Sequence, residues 1–364
     1  MPVEFDISPE KQAGVLRFWQ QQYRFKPQEV RDVDLSGRTA IVTGANGGVG
    51  LATCLQLLDL GLSKLIMAVR NESKGNAARE TLISQTSSKL GENAIEVWTL
   101  DLSVYDQIIN FAERAKGLER LDIVNLNAGF SPIKQIINEH TGHDEIIQVN
   151  YLSTALLAVL LLPVIKEKQA RGSQPSPSRI SFTSSEVAAW TKFKERTESP
   201  LLAALDTKVA SSMMESAILG DRMLISKLLG QFFVAELARR VPPSVVVINA
   251  ASPGVCHDSE FNREVEKTFL GAILRRFQKG LGNTCAVGAR MMTDALVNHG
   301  EETHGQFLSF QKVVPMAPIV YTPEGKEVSE RLWKETMAEL SFAKAEDIVN
   351  AVSEGKGTGG LGDS

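Results

Sequence analysis

The chain has 364 residues, 43% hydrophobic and 23% charged, with a formal net charge of −4. That is globular composition with enough apolar content for a sizeable core, and its slight acidity argues against a nucleic-acid or anionic-membrane binder. Three cysteines (Cys54, Cys256, Cys285) lack metal-ligand or disulfide-framework spacing, and no basic-then-apolar signal opens the chain, so a reducing, cytoplasmic setting is expected.

Residues 1–35 form an N-terminal extension. Within it Val15, Phe18, Trp19 and Gln22 fall at helical spacing, which predicts a short amphipathic helix packed on the main domain, or one acting as a lid or partner surface. After Gly37, strand-like and helix-like segments alternate. Strands are expected at 39–43, 65–69, 95–100, 121–126, 179–183, 244–249 and 306–309. Helices are expected at about 48–60, 72–87, 105–116, 145–166 and 222–240. Alternation of this kind means βαβ units. The expected fold is α/β, a Rossmann fold with a doubly wound parallel sheet of about seven strands and helices on both faces. The longest apolar run, 154–165, is too short to span a bilayer and reads as a buried helix. A surface loop is expected at 171–178. The main domain should cover 36–345, with an insert at about 186–221 over a substrate site. A partly disordered tail should occupy 346–364, since its glycine-rich end, 355–364, cannot offset its ordering entropy.

The turn Thr43-Gly44-Ala45-Asn46-Gly47-Gly48-Val49-Gly50 follows the first strand and opens a helix. A glycine-rich turn alone is a weak signal, and this context strengthens it. Glycines let the backbone approach a pyrophosphate, and the helix N-terminus offers free N–H groups and positive dipole. An acid about 20 residues further on would select NAD(H). Arg70 stands there instead, followed by Asn71 and, one turn on, Lys74. A guanidinium suits a 2′-phosphate through paired donors, so the expected cofactor is NADP(H).

This spacing resembles that of the short-chain dehydrogenase/reductase family. Further motifs follow in family order over residues 36–310, closest to retinol-dehydrogenase-like members and similar reductases of fungal natural-product pathways, which share a segment like that from Trp190 to Glu195. The resemblance implies cofactor contacts from Gly44, Asn46, Gly48, Val49 and Gly50. Asp101-Leu102 would meet adenine, Asn127-Ala128-Gly129 would support the sheet and adenine ribose, and Pro253-Gly254-Val255 would meet the nicotinamide carboxamide. It implies catalytic roles for Asn150, for Ser185, which would polarise substrate, and for Lys227, which would also touch ribose.

One position departs from the family. Its general acid is a Tyr four residues before the Lys, and here that residue is Met223. Charge develops on oxygen when hydride reaches a carbonyl carbon, and a phenol beside a cationic Lys donates the needed proton. A thioether has no proton to give. Three readings follow. The first keeps hydride transfer, with the proton from Lys227, Glu186, His257, or a water held by Ser185 and Asn150. The second is a non-redox step such as isomerisation, dehydration or cyclisation, with Ser185 and Lys227 as electrostatic stabilisers. The third is a non-catalytic binding protein. Blander roles are open for each residue: Ser185 capping a strand end, Asn150 bonding backbone, Glu186 and His257 facing water. His140 and His143 lack a third ligand, so no metal is assigned.

The stretch between Ser185 and Met223 carries Trp190, Phe193, Leu201, Leu202, Met213, Met214 and Ile218, and the stretch after Gly254 carries Phe261, Phe269, Leu270 and Ile273. Ligands of such sheets bind beyond the carboxyl ends of the strands, so these segments should wall a pocket for a moderately large apolar small molecule, or form a satellite core.

Overall fold

The computed structural model describes residues 5–132, 134–170, 177–207, 212–259 and 280–354. Its central strand, β1 (Thr39–Thr43), is buried at every residue. An apolar, β-branched strand without polar alternation suits a sheet covered on both faces. β2 (Lys64–Val69) and β4 (Ile123–Leu126) flank it in parallel, with Ile41 opposite both Ile66 and Val124. β3 (Ile95–Thr99) extends one side. β5 (Ser178–Thr183), β6 (Val246–Ala251) and β7 (Phe307–Ser309) extend the other, giving the order β3-β2-β1-β4-β5-β6-β7. An eighth strand, β8 (Lys312–Val314), turns back antiparallel on β7. The expectation of about seven strands missed it because a three-residue edge strand shows no period.

The chain runs outward from β1 to β3 and then returns to β4. Strand order therefore reverses between β1 and β4, opening a crevice beyond their carboxyl ends. α3 (Gly48–Asp59) and α4 (Glu72–Gln85) cover one face around Leu57, Leu58 and Leu82. α5 (Tyr105–Ala115), α7 (Ser153–Ala170) and α9 (Ser212–Arg240) cover the other around Phe111, Leu156 and Phe233, and α10 (Cys285–Val297) packs on α3. The helical run from Glu145 to Gln169 is long and apolar enough to cross a membrane, yet 83% of its most apolar window is buried within the fold. It is apolar all round because the sheet, α5 and α12 (Ala345–Ser353) surround it.

α12 occupies the first part of the expected tail, since 345–353 is helical. Ala345, Val349 and Val352 fall on one face and are buried against α7, and Lys166 Nζ donates to the Ala351 carbonyl at 2.8 Å. Residues 355–364 lie outside the described residues, as do 171–176 of the expected loop. α11 (Pro323–Glu339), begun by Thr322 accepting from the Gly325 N–H, was not anticipated.

The insert is also partly reassigned. Phe193, Leu201 and Leu202 are buried in the main core, and Glu335 of α11 accepts from the Leu201 and Leu202 N–H groups at 2.9 Å. With α8 (Leu201–Leu205) they join the main core and do not line the cleft. The side chains of Met213, Met214 and Ile218, and residues Phe261, Phe269, Leu270 and Ile273, lie outside the described residues.

The N-terminal extension contains α1 (Pro9–Gln12) and the expected helix, α2 (Val15–Arg24). α2 docks through Phe18, buried with Met291 and Phe310 in a small cluster.

Candidate active site

A cleft of about 1070 Å³ opens beyond the carboxyl ends of the parallel strands. Ligand pockets usually measure about 300–1,000 Å³, so this one is large enough for a dinucleotide and a second molecule. Thr43 ends β1 and organises the turn that follows. Its Oγ1 accepts from the Asn127 and Ala128 N–H groups, both at 2.9 Å, while Asn127 Nδ2 donates to its carbonyl at 2.9 Å. Asn127 thus spends its side chain joining β1 to β4. That contact requires glycine at 50, because a Cβ there would stand 2.5 Å from both Asn127 Nδ2 and the Gly44 carbonyl oxygen. Gly50 sits behind the turn, whereas Gly44, Asn46, Gly48 and Val49 line the cleft.

At one end of the cleft, Arg70 leaves β2 and Asn71 caps α4 by accepting from the Lys74 N–H at 2.9 Å. Arg70 and Lys74 line the cleft beside the α4 N-terminus, a combination that suits a phosphate. Asn71 Oδ1 is committed to this cap, so its part is to set the helix start. Asp101 accepts from the Ser103 N–H and hydroxyl at 2.9 and 2.7 Å, fixing the loop that carries Leu102. Asp101, Leu102, Asn127, Ala128 and Gly129 all line the cleft, between Arg70 and the catalytic end. The residues expected to hold a dinucleotide therefore lie along one continuous surface. The turn that glycine at 50 allows to close, with Gly44, Asn46, Gly48 and Val49 facing the cleft, fits the pyrophosphate of NADP(H).

At the other end lie Ser185, Met223 and Lys227. Ser185 begins a short 3-10 turn (Glu186–Ala189) and accepts from the Val187 N–H at 3.4 Å. Lys227 reaches from α9 and donates to the Thr183 carbonyl at 2.9 Å. Burial disfavours its charge and pushes its pKa down to about 8. Met223 lies one turn before it, on the same wall.

Asn150 sits in a π-helical turn, Gln148–Leu152, between α6 (Glu145–Ile147) and α7. Its Oδ1 accepts from the Phe130 N–H at 3.0 Å. Its Nδ2 donates to the Phe130 carbonyl at 3.1 Å and to Ser226 Oγ at 3.2 Å. Its side-chain amide is thus engaged with the Phe130 backbone and Ser226. Among the described residues, neither Asn150 nor the candidate proton donors Glu186 and His257 line the cleft. Glu186 points away from the cleft, buried, and its Oε2 accepts from Ser252 Oγ at 2.7 Å while Oε1 accepts from Ser309 Oγ. His257 pairs its N–H with the Asn283 carbonyl at 3.0 Å, and its side chain is not on the cleft wall. His143 bridges two carboxylates, Asp206 Oδ2 at 2.7 Å and Glu339 Oε1 at 3.1 Å.

Pro253, Gly254 and Val255 line the cleft beyond β6. Val255 has already committed both backbone groups. Its N–H donates to Gln22 Oε1 at 3.0 Å, and its carbonyl accepts from Gln22 Nε2 at 3.3 Å and from the Asn283 N–H at 2.9 Å. The sequence reading missed Gln22, and it missed Phe18 and Trp19 as cleft residues. Helical spacing revealed their helix but not which face meets the cleft.

The family model described as short chain dehydrogenase matches residues 38–189. The short-chain dehydrogenase fogG of Aspergillus ruber (strain CBS 135680) is 46% identical over 358 residues, covering 97% of this chain and 100% of that protein. The short chain dehydrogenase/reductase mfmJ of Annulohypoxylon moriforme is 38% identical, covering 92% and 94%. Among solved structures, a short chain oxidoreductase from Pseudomonas aeruginosa PAO1, described as NADPH-bound with an atypical catalytic center, superposes with a TM-score of 0.54 at 20% identity. That match covers 76% of this chain and 96% of the other.

Proposed function

The chain belongs to the short chain dehydrogenase family, and we propose on that premise that it is an NADP(H)-dependent oxidoreductase interconverting a carbonyl and an alcohol on a moderately large apolar molecule. The observation that carries this reading is Lys227, half-buried on the cleft wall beside Ser185 with Nζ held by the Thr183 carbonyl, where burial also pushes its pKa down to about 8. Ordinary lysine holds its proton too tightly to give it up near neutral pH. At about 8 the proton is transferable, and the group takes over what a phenol would do. The cofactor, when bound, supplies or accepts the hydride. Ser185 Oγ donates a hydrogen bond to the substrate oxygen. Lys227 Nζ gives that oxygen a proton as the carbonyl becomes an alcohol, and solvent then reprotonates the amine. Arg70 and Lys74 bind the 2′-phosphate. Met223 leaves the wall apolar and excludes water from the reacting carbon. A place in secondary metabolism is part of the proposal, supported by the fungal relatives.

Calorimetry with NADPH and NADH, followed by turnover of a ketone panel with 4-deuterated NADPH, tests it. NADPH should bind more tightly, and deuterium should appear in product as absorbance falls. A product formed without deuterium or absorbance change overturns it in favour of a second reading, which Met223 itself favours: a non-redox transformation. Met223→Tyr separates the two, because a reductase should keep or gain activity and a dedicated non-redox site should lose its product.

A further inference from the structure

The N-terminal helix does more than pack on the domain. Phe18 and Trp19 of α2 line the cleft together with Trp190 of the insert and Phe130 after β4. Two of the chain's four tryptophans thus face one cavity, in a chain only 6% aromatic. The rings are arranged edge to face. Phe18 meets Trp19 and Trp190 with centroids 5.3 Å apart in each case, at 69° and 77°. Trp190 Nε1 is already donated to the Ala13 carbonyl at 2.9 Å, so its ring offers the cleft a π surface and ties α1 to the insert.

Charge is distributed unevenly along the cleft. Glu145, Asp101 and Arg70 lie at the expected adenine end. Among the described residues, Lys227 supplies the charge at the aromatic end. A substrate there meets rings, Met223 and Val187, with one polar corner at Ser185 and Lys227. Flat aromatic surface gains offset or edge contacts with such rings beyond simple burial, and a saturated ring of the same size does not.

The wall is also fastened to the cofactor loop. Gln22, 2% exposed, closes a two-bond pair on Val255, as a neighbouring strand would. Gly254 permits the approach. Its φ is +67°, and a Cβ there would lie 2.6 Å from Gln22 Oε1. Helix and loop therefore hold their positions together.

We propose that α2 is a working wall of the active site: Phe18 and Trp19, with Trp190, select an uncharged planar aromatic carbonyl compound, and Gln22 positions this wall against the Pro253-Gly254-Val255 loop. The idea rests on the reading of the cleft as a carbonyl site.

The test uses two bicyclic ketones of the same skeleton, 1-tetralone (one aromatic ring) and 1-decalone (saturated). Their binding to the full chain is measured by tryptophan fluorescence and calorimetry, with and without NADP+. Tetralone should bind about tenfold more tightly. Trp19→Leu and Phe18→Leu should each remove most of that preference while NADP+ affinity stays within about twofold. Tyr23→Ala, on the exposed face of α2, should leave the preference intact and controls for helix stability. Gln22→Met should raise KM for tetralone more than it lowers kcat and weaken NADP+ binding a few-fold, with the thermal midpoint reported alongside. Equal affinity for the two ketones, or a preference that survives Trp19→Leu and Phe18→Leu, overturns the proposal. Failure of NADP+ to bind overturns the oxidoreductase reading instead, and the ketone comparison without cofactor still judges the wall.

Discussion

Replacing Lys227 by Met should remove proton delivery and yet make the protein more stable at pH 7. Burial lowers the ammonium from 10.5 to about 8. That difference corresponds to about 3 kcal/mol of preference for the neutral form, an upper bound because the side chain borders the cleft. The sign is that of a base whose folded pKa is depressed. Between pH 8 and 10.5 the unfolded chain binds the extra proton and the native state does not, so stability rises with pH across that window, and the full penalty stands below pH 8. Lys227→Met also removes the bond to the Thr183 carbonyl, worth about 1 kcal/mol. A net gain of about 1–2 kcal/mol remains, or roughly 1–4 °C in thermal midpoint for a chain of this size. Reductive turnover should fall by about 10²–10⁴-fold. In the wild type, kcat/KM for reduction should be flat below pH 8 and fall tenfold per pH unit above it, with the oxidative direction showing the mirror profile. Lys227→Arg keeps the charge but cannot release the proton, so it should lose both breaks. The assays are scanning fluorimetry from pH 6 to 10 and nicotinamide absorbance at saturating NADPH, which separates proton delivery from ribose contact. A profile without a break between pH 7 and 9, or a Lys227→Met enzyme within tenfold of wild type, refutes the reasoning.

Arg70→Gln should weaken NADPH by about 10–150-fold, the worth of a charge-assisted contact, while NADH affinity hardly changes; calorimetry on both cofactors checks it. Gly50→Ala should destabilise the fold by about 1–3 kcal/mol and abolish cofactor binding, because its Cβ would meet Asn127 Nδ2 and the Gly44 carbonyl; wild-type affinity would show that the turn can relax. Burial alone would lower the pKa of His143, but Asp206 and Glu339 reverse that and hold it at about 9. The stabilisation is full below pH 6.5 and is lost as pH rises through about 9, so His143→Gln should flatten the fall in chemically measured stability between pH 7 and 9.5.

The sequence carried the strand alternation, the turn at 44–50 and the converging pair Arg70 and Lys74, because each is a local pattern with a direct physical cause. Tertiary placement was less legible. Asn150 and Glu186 sit next to cleft residues in sequence, yet both aim their polar groups elsewhere, Asn150 at Phe130 and Ser226, Glu186 at Ser252 and Ser309. Nothing in the spacing says which way a side chain leaves a π-helical turn or a 3-10 turn. Apolar character alone left Leu201 and Leu202 open to a pocket wall or a core, because an apolar side chain serves either; the structure buries them in the core. The eighth strand and the helix at 345–353 were lost between a short edge and a helix judged by its glycine-rich successor.

The hydrogen bonds of Asn150 also hold the frame around Met223. Ser226 Oγ donates to the Met223 carbonyl at 2.7 Å, Asn150 Nδ2 donates to Ser226 Oγ, and Asn150 is itself held at both ends by the Phe130 backbone. The frame that places residue 223 on the cleft wall is thus built from backbone and from neighbours, with no contribution from the side chain at 223. A side chain of different chemistry at 223 would therefore meet the same frame. In the proposed reaction the proton is then left to Lys227, the one cleft cation at the reacting end among the described residues.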